Sequence, residues 1–310
     1  MELALIAAKQ VFELLLMIAA GIVCCKTKVF RPSEKSVLSN LLLYLVVPAM
    51  VIDSYMTEFD PAAFFNLLSA FGFSLLALLV GLILSLVATC RIPKQDRAIL
   101  RFASSFSNAA YMGFPLIRAL FGSEGMLYAS AFVTVFNLLL WTVGYGMVSG
   151  KAAAKDIFHS IITCPCILAV LCGLLLYLGR VPVPELIKEP ISTIGSMNTP
   201  LSMLITGATI AASDLKKLLH NPKLFQVLGL RLIFIPAATL AVFTLLGFRG
   251  TVPMIVLILE ACPCVTITTL FAIQFHHDEE LAAGAVVFST LSSIVTLPIY
   301  ALVLSTILGA

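Results

Sequence analysis

One apolar stretch of this chain is interrupted by Ser107-Asn108-Ala109-Ala110-Tyr111-Met112-Gly113-Phe114-Pro115, and a second by Glu260-Ala261-Cys262-Pro263-Cys264. Both stretches are otherwise apolar enough to lie in a membrane. A membrane-spanning segment must satisfy its own backbone hydrogen bonds. Asn, Gly and Pro are therefore tolerated there only where the freed groups face protein, a cavity or an ion. Two such interruptions, at corresponding positions of two chain halves, indicate the binding site of a transporter.

The composition identifies the class of protein. Hydrophobic residues make up 60% of the chain and charged residues 11%, and the mean hydropathy is +1.07. Because an ordinary soluble domain has about 25% charged residues, this composition predicts a multi-pass protein of the lipid bilayer. The formal net charge of +3, without any run of basic residues, argues against binding to nucleic acid. The linkers are too short to hold a soluble domain.

The hydrophobic pattern predicts an all-α membrane protein with ten transmembrane helices. A span needs about 20 apolar residues, and ten intervals provide them: 3–25, 37–56, 62–90, 97–120, 126–148, 157–178, 191–212, 222–247, 251–275 and 281–308. Ten spans divide into a first repeat of five helices (1–150) and a second (151–310). Because five is odd, the second repeat enters the membrane from the opposite side. Aligning spans four and five with spans nine and ten brings Asn108 to Pro263. This is the 5+5 inverted-repeat plan of secondary transporters.

Positive charge gives the orientation of the spans. The loops after spans one, three, five, seven and nine hold Lys26, Lys28, Arg31, Lys35, Arg91, Lys94, Arg97, Arg101, Lys151, Lys155, Lys216, Lys217 and Lys223. The opposite side holds Lys9, Arg118, Arg180, Lys188 and Arg249. This asymmetry predicts that both termini face outside.

Two ionisable residues inside predicted spans are candidates for coupling or charge compensation, since buried charges in membranes are costly and usually functional. Glu260 lies just before the interruption at Pro263 and is expected to act as a proton carrier or cation ligand, or to form a structural hydrogen bond. Arg231 lies in span eight, ~12 Å from its cytoplasmic end at 1.5 Å per residue. It can snorkel to that end, pair with Glu260 or meet an anionic substrate.

Asn108 is the strongest candidate for substrate binding. Its amide offers two donors and an acceptor, and the half-helix expected to begin near Gly113–Pro115 would point backbone N–H groups toward the break. A helix N-terminus attracts anions. Span nine repeats this arrangement after Pro263, with the hydroxyl of Thr266 nearby. Two opposed half-helix ends at mid-membrane suit a small carboxylate.

No metal or cofactor is expected. The eight cysteines lie almost entirely in apolar stretches and show no zinc-ligand spacing with His. In the two Cys-Pro-Cys triplets, Cys164-Pro165-Cys166 and Cys262-Pro263-Cys264, the thiols of a helix would diverge by about 200°. Buried cysteines of this kind usually act as small hydrophobes.

Several motifs together resemble the auxin efflux carrier family, which includes the plant auxin efflux carriers and bacterial permeases for malate and malonate. The resembling residues are Arg101-Phe102-Ala103-Ser104-Ser105-Phe106-Ser107-Asn108, Gly113-Phe114-Pro115-Leu116, Glu260-Ala261-Cys262-Pro263, and Asn40-Leu41 with Val47-Pro48-Ala49. The similarity covers essentially the whole chain. One departure is Ser107, where family members often have Pro; another is Cys164-Pro165, where an Asn-Pro pair is common.

The resemblance implies a fold like that of sodium/proton antiporters and bile-acid transporters, in which broken helices four and nine cross. It implies a scaffold domain from spans 1, 2, 6 and 7, a transport domain from spans 3–5 and 8–10, elevator-type alternating access and a homodimer. Together with the interruptions, it places the substrate against Asn108, Ser107, Ala109, Tyr111, Val47, Pro263, Cys264 and Thr266.

The sequence thus predicts a secondary active transporter, and no enzyme, in a bacterial inner membrane. Its substrate would be a small organic anion, either a carboxylate such as malate or malonate or an auxin-like weak acid, with proton or sodium as the open choices of coupling ion. A cation/proton antiporter is the first alternative, but it would more naturally show paired Asp residues near the breaks. A membrane sensor without transport is the second, and it would need an output domain.

Overall fold

The computed structural model describes residues 2–31, 34–150, 163–213, 219 and 221–308. Within these ranges the protein is all-helical, and its sole β-type pairing is one isolated antiparallel bridge between Ser107 and Cys264. Several predicted features lie outside the described residues: the terminal Met1 and Ala310, most of the loop 149–156, the start of span six at 157–162, and the loop lysines Lys151, Lys155, Lys216 and Lys217.

The described residues form fifteen α-helices. In chain order they are α1 (Glu2–Lys26), α2 (Lys35–Leu41), α3 (Val47–Tyr55), α4 (Pro61–Ala88), α5 (Lys94–Ser105), α6 (Phe114–Leu139), α7 (Tyr145–Ser149), α8 (Pro165–Leu178), α9 (Glu185–Ser196), α10 (Asn198–Ala211), α11 (Pro222–Gly229), α12 (Ile235–Leu245), α13 (Thr251–Glu260), α14 (Ile267–Gln274) and α15 (Glu279–Ile307). Four π-helical turns each lead directly into the next α-helix: π1 (Leu42–Val46), π2 (Ala109–Gly113), π3 (Leu140–Gly144) and π4 (Leu230–Phe234).

Six helical stretches of the described chain are long and apolar enough to cross a membrane. They are Leu5–Lys26, Val37–Tyr55, Pro61–Ala88, Ala109–Ser149, Pro222–Leu245 and Glu279–Ile307. Two shorter apolar helices are Pro165–Leu178 and Thr251–Glu260. The protein is therefore a multi-pass membrane protein.

The stretch Ala109–Ser149 is too long for a single crossing and turns back on itself. At 1.5 Å per residue its 41 residues would extend about 60 Å, twice the ~30 Å hydrocarbon core. Gly122 breaks it with φ 63° and ψ −150°, a conformation that favours glycine. A Cβ placed on Gly125 would lie 3.1 Å from Ile117 Cγ2, eight residues earlier, so the chain reverses here. The turn falls in the predicted loop between spans four and five.

Three of the four π turns are followed directly by a proline at the second position of the next α-helix: Pro48, Pro115 and Pro236. A proline inside an α-helix lacks the N–H donor and its ring clashes with the carbonyl four residues earlier. The wider π turn relieves this clash: before Pro48, for example, the Val47 N–H donates to Leu42 O, five residues earlier. The prolines are thus accommodated without ending the helices.

Small residues let helices from opposite chain halves approach closely. Helix α1 packs on α10 where Gly21 faces Leu204, and a Cβ at Gly21 would come within 2.6 Å of the Leu204 carbonyl oxygen. Helix α3 packs on α8 and α9 in the same way, with Gly173 against Tyr55 and Gly195 against Met50. Such contacts are typical of membrane helix interfaces, where small side chains permit close backbone packing.

Candidate functional site

The two sequence interruptions meet in space and hydrogen-bond to each other. Asn108 N–H donates to Pro263 O at 2.7 Å, and Val265 N–H donates to Phe106 O at 3.0 Å. We call the paired extended segments, residues 106–108 and 263–265, the crossover. Both segments are buried except for partly exposed Val265. This pairing satisfies backbone groups that no helix satisfies, as the membrane interior requires.

The second half-helix of the first interruption begins earlier than the sequence predicted, at Ala109 instead of near Gly113–Pro115. Helix α5 ends at Ser105, the chain is extended through Ser107, and helical structure resumes at Ala109 with Asn108 as the preceding residue. Gly113 and Pro115 therefore lie inside the second half-helix, not at its start, because the π turn π2 absorbs the proline. Gly113 packs closely on Leu259, since a Cβ there would lie 2.5 Å from Leu259 Cδ2 and the leucine side chain would have to shift. Pro263 does lie within the second break, between α13 and α14.

On one side of the crossover, the C-terminal ends of α5 and α13 converge on Arg231, which π4 supplies. The guanidinium Nη1 donates to the carbonyl oxygens of Ser104 and Ser105 at 3.0 and 3.1 Å. Nη2 donates to Glu260 Oε1 at 3.0 Å and also to the Glu260 carbonyl oxygen. Both side chains have 0% exposure, so the snorkelling alternative for Arg231 is wrong.

This arrangement compensates negative charge at the two helix ends. A helix C-terminus carries about half a negative charge on unpaired carbonyls, and the Glu260 carboxylate adds to it. A buried charge is tolerated when it is paired and hydrogen-bonded. Gly81 makes room for the pair, because a Cβ there would lie 3.0 Å from Glu260 Oε1.

On the other side of the crossover, two helix N-termini meet. Asn108 precedes π2 and Thr266 precedes α14, and Asn108 Nδ2 donates to Thr266 Oγ1 at 3.3 Å. The first N–H groups of a helix have no partner within it and carry partial positive charge. Two such ends therefore create a positive potential beside Asn108 without any basic side chain.

A cavity of about 260 Å³ adjoins these N-termini. Its wall is mostly apolar and holds no Asp, Glu, Lys or Arg. The lining residues are Ser39, Asn40, Leu43, Val47, Ser107, Asn108, Ala110, Tyr111, Val133, Phe136, Asn137, Leu140, Trp141, Cys166, Ile205, Thr209, Val265, Thr266, Ile267, Thr269, Leu270 and Ile273. Both chain halves contribute to it.

The structure brings together five of the residues predicted to contact substrate: Val47, Ser107, Asn108, Tyr111 and Thr266 all line the cavity. The Ser107 hydroxyl is buried with no hydrogen-bond partner among the described residues, so it is free to donate to a bound molecule.

The other predicted contacts lie behind the wall. Ala109 is fully buried, the Pro263 carbonyl accepts from Asn108 N–H, and Cys264 N–H donates to Ser289 Oγ at 2.9 Å. None of these three residues is among those lining the cavity. Glu260 and Arg231 are likewise absent from the wall.

Sequence reasoning missed three prominent wall residues, Asn137, Trp141 and Asn40. Asn137 is an amide within an apolar helix and Trp141 is the single tryptophan of the chain. Each was a detectable signal, because polar and aromatic side chains inside a predicted span need a reason to be there. Their location on the same wall as Asn108 depends on helix packing, which local pattern does not give.

Helix α10 hydrogen-bonds to the second half-helix of the first interruption. Asn198 Nδ2 donates to Ala110 O at 3.0 Å, and Ser202 Oγ donates to Tyr111 O at 3.3 Å. Both acceptors belong to π2, next to the cavity. These bonds link the predicted scaffold helix of span seven to the predicted transport domain.

No group of three or more His, Cys, Asp or Glu side chains that could hold a metal ion occurs within the described ranges. The cysteines of both Cys-Pro-Cys triplets are free thiols, and all four are buried.

Comparisons with known proteins show the family of the chain. The family model described as membrane transport protein matches residues 6–301. An uncharacterized transporter from Methanothermobacter thermautotrophicus is 23% identical over 302 residues, covering 96% of this chain and 98% of the relative. An uncharacterized transporter from Methanocaldococcus jannaschii is 20% identical, covering 89% and 92%. A probable auxin efflux carrier component 5b from Oryza sativa subsp. japonica is 32% identical over 127 residues, covering 40% and 34%.

Proposed function

Because the chain belongs to the membrane transport protein family, to which auxin efflux carriers also belong, we propose that it is a secondary active carrier for a small organic anion. The family consists of membrane transporters and not of enzymes. The observation that carries the proposal is the cavity at the crossover, where two helix N-termini and the Asn108 amide adjoin a mostly apolar wall without any Asp, Glu, Lys or Arg.

The wall favours a monocarboxylate with an apolar or aromatic body over a dicarboxylate. The partial positive charge of two helix ends suits one carboxylate. A second carboxylate would be desolvated without a cation, which costs several kcal/mol. Phe136, Trp141 and Tyr111 offer aromatic surface for an apolar body. Between the two substrate classes that the sequence left open, the auxin-like weak acid therefore fits better than malate or malonate.

We place the helices in ten spans, as a 5+5 inverted repeat that works as an elevator. The packing of α1 on α10, and of α3 on α8 and α9, supports a scaffold built from spans 1, 2, 6 and 7. The crossover and the Arg231–Glu260 pair tie spans four, eight and nine into one moving unit. The bonds from Asn198 and Ser202 to π2 would then break and re-form as that unit slides.

The cavity supports an inward-facing state. Its wall extends from the crossover toward Asn40, Trp141 and Ile273, which lie near span ends that positive charge assigns to the cytoplasmic side. The proposal includes a prokaryotic plasma membrane, both termini outside and a homodimer. A cation/proton antiporter is less well supported, because Glu260, the acidic residue at the crossover, is bound to Arg231.

Replacing Asn108 with alanine is expected to weaken substrate binding about 10-fold, the loss of roughly 1.4 kcal/mol that one hydrogen bond to a charged group contributes. The measurement is the dissociation constant of an aromatic monocarboxylate on purified protein. Asn66→Ala is the matched control, since its amide bonds Tyr128 on α6, away from the cavity. An Asn108→Ala protein of normal stability and unchanged affinity would remove Asn108 from the site.

A further inference from the structure

Four oxygen atoms converge on the guanidinium of Arg231. Three are main-chain carbonyl oxygens, from Ser104, Ser105 and Glu260, and the fourth is Glu260 Oε1. They belong to two different half-helices, α5 and α13, while Arg231 comes from a third helical stretch. The group is fully buried, so water does not screen it.

An oxygen cage of this kind is suited to a cation. Carbonyl and carboxylate oxygens are the ligands that hard metal ions take from proteins, and the C-terminal ends of broken helices coordinate Na⁺ in secondary transporters. Here two such ends and one carboxylate together carry roughly two negative charges. In the membrane interior this negative charge needs a positive partner, either a side chain of the protein or a bound metal ion that can dissociate.

We propose that Arg231 is that counter-ion, a built-in cation that fills the oxygen cage in place of a dissociable metal ion. The inference rests on the proposed carrier function for its meaning in transport, but the cage itself is independent of any substrate. Arg231 does not line the cavity, so it is a positioning residue. It fixes the spacing of α5 and α13, and through the crossover it fixes the two helix N-termini that face the substrate.

A guanidinium is well matched to this task. It is always charged, and its planar fork offers five N–H donors that can reach several acceptors at once. All four contacts of the Arg231 guanidinium are made by Nη1 and Nη2. Its Nε has no hydrogen-bond partner among the described residues. A lysine would offer a compact ammonium with shorter reach, so the geometry is specific for arginine.

The test removes the Arg231 guanidinium from the oxygen cage and asks whether Na⁺ can replace it. Thermal unfolding of purified Arg231→Ala is compared in sodium chloride and in choline chloride, beside wild type and the double variant Arg231→Ala/Glu260→Gln. We expect wild type to melt at the same temperature in both salts. Arg231→Ala should melt roughly 5 °C or more lower in choline and regain most of that loss in sodium. The double variant, which lacks the carboxylate, should regain little.

If Arg231 had only a structural role, sodium would not restore the melting temperature of Arg231→Ala in a way that requires Glu260. Three results overturn the proposal: wild type that is stabilised by sodium, Arg231→Ala that is as stable as wild type in choline, or a recovery that is equal in the double variant. If Arg231→Ala accumulates only in sodium, the proposal is supported. If it folds in neither salt, Arg231→Gln takes its place, and a melting temperature insensitive to sodium then overturns the proposal.

Because no substrate enters this measurement, its outcome is separate from that of the proposed function. Sodium recovery in a protein that binds no carboxylate would leave the built-in cation standing and refute only the proposed substrate. Carboxylate binding by a protein whose Arg231→Ala variant is not stabilised by sodium would support the proposed substrate and refute the built-in cation.

Discussion

Replacing Glu260 with glutamine is expected to lower the free energy of unfolding by about 3 kcal/mol, the lower end of the cost of removing one partner from a buried ion pair. Glutamine is nearly isosteric and keeps an acceptor for Arg231 Nη2. What is lost is the negative charge beside a fully buried guanidinium. The carbonyl oxygens of Ser104 and Ser105 still compensate part of that charge, which is why the loss stays near 3 kcal/mol.

Chemical denaturation of the purified protein measures this loss. Glu58→Gln is the matched control, because Glu58 is exposed and surface charges contribute little. Adding Arg231→Gln to Glu260→Gln should recover part of the stability, since it removes the unpaired charge and keeps an amide donor. A stable Glu260→Gln protein whose uptake no longer depends on the pH gradient would instead make Glu260 a proton carrier. A stable variant with normal gradient-driven uptake would contradict both roles.

Replacing Gly207 with alanine is expected to destabilise the protein by about 2–3 kcal/mol, as overpacking does in a tight interface. A Cβ at Gly207 would meet the backbone of α1, 2.8 Å from Ile22 N and closer still to the Ile18 carbonyl oxygen. Main-chain atoms cannot rotate away as a side chain does, so α1 and α10 must separate.

The same substitution at Gly72 provides a control of opposite sign. Gly72 lies in α4 with nothing within 4 Å of its virtual Cβ. Alanine there should stabilise the helix by about 0.5–1 kcal/mol, because glycine costs more backbone entropy. Thermal unfolding of Gly207→Ala and Gly72→Ala measures the two changes in stability. Equal effects at the two positions would mean that α1 and α10 do not pack through their glycines.

The sequence predicted the break positions because polar residues and proline inside an apolar run are locally visible. Asn108 and Pro263 were recognised in this way, and the structure pairs their backbones. The turn at Gly122 was also anticipated as a loop between two apolar runs. The point at which helical structure resumes after the first break was missed, because a π turn lets Pro115 stay within a helix. No local pattern distinguishes that outcome from a helix start.

The partners of Arg231 depended on long-range packing. Its depth in span eight was readable from the sequence, but that depth is equally compatible with snorkelling and with pairing. Only the convergence of α5 and α13 on one point selects Glu260 and two main-chain carbonyls. The same holds for the cavity wall: Asn137 and Trp141 line the same cavity as Asn108 because of how three helical stretches are arranged. No spacing along the chain encodes that arrangement.

Uptake by proteoliposomes that contain the purified protein tests directly for a monocarboxylate site at the crossover. A labelled aromatic monocarboxylate is offered alone, with excess unlabelled compound, and with excess malonate, to wild type and to Asn108→Ala. We expect saturable uptake that the unlabelled monocarboxylate suppresses and malonate does not. We expect this uptake to be strongly reduced in Asn108→Ala. Uptake blocked equally by malonate, or unchanged in Asn108→Ala, would contradict a monocarboxylate site at the crossover.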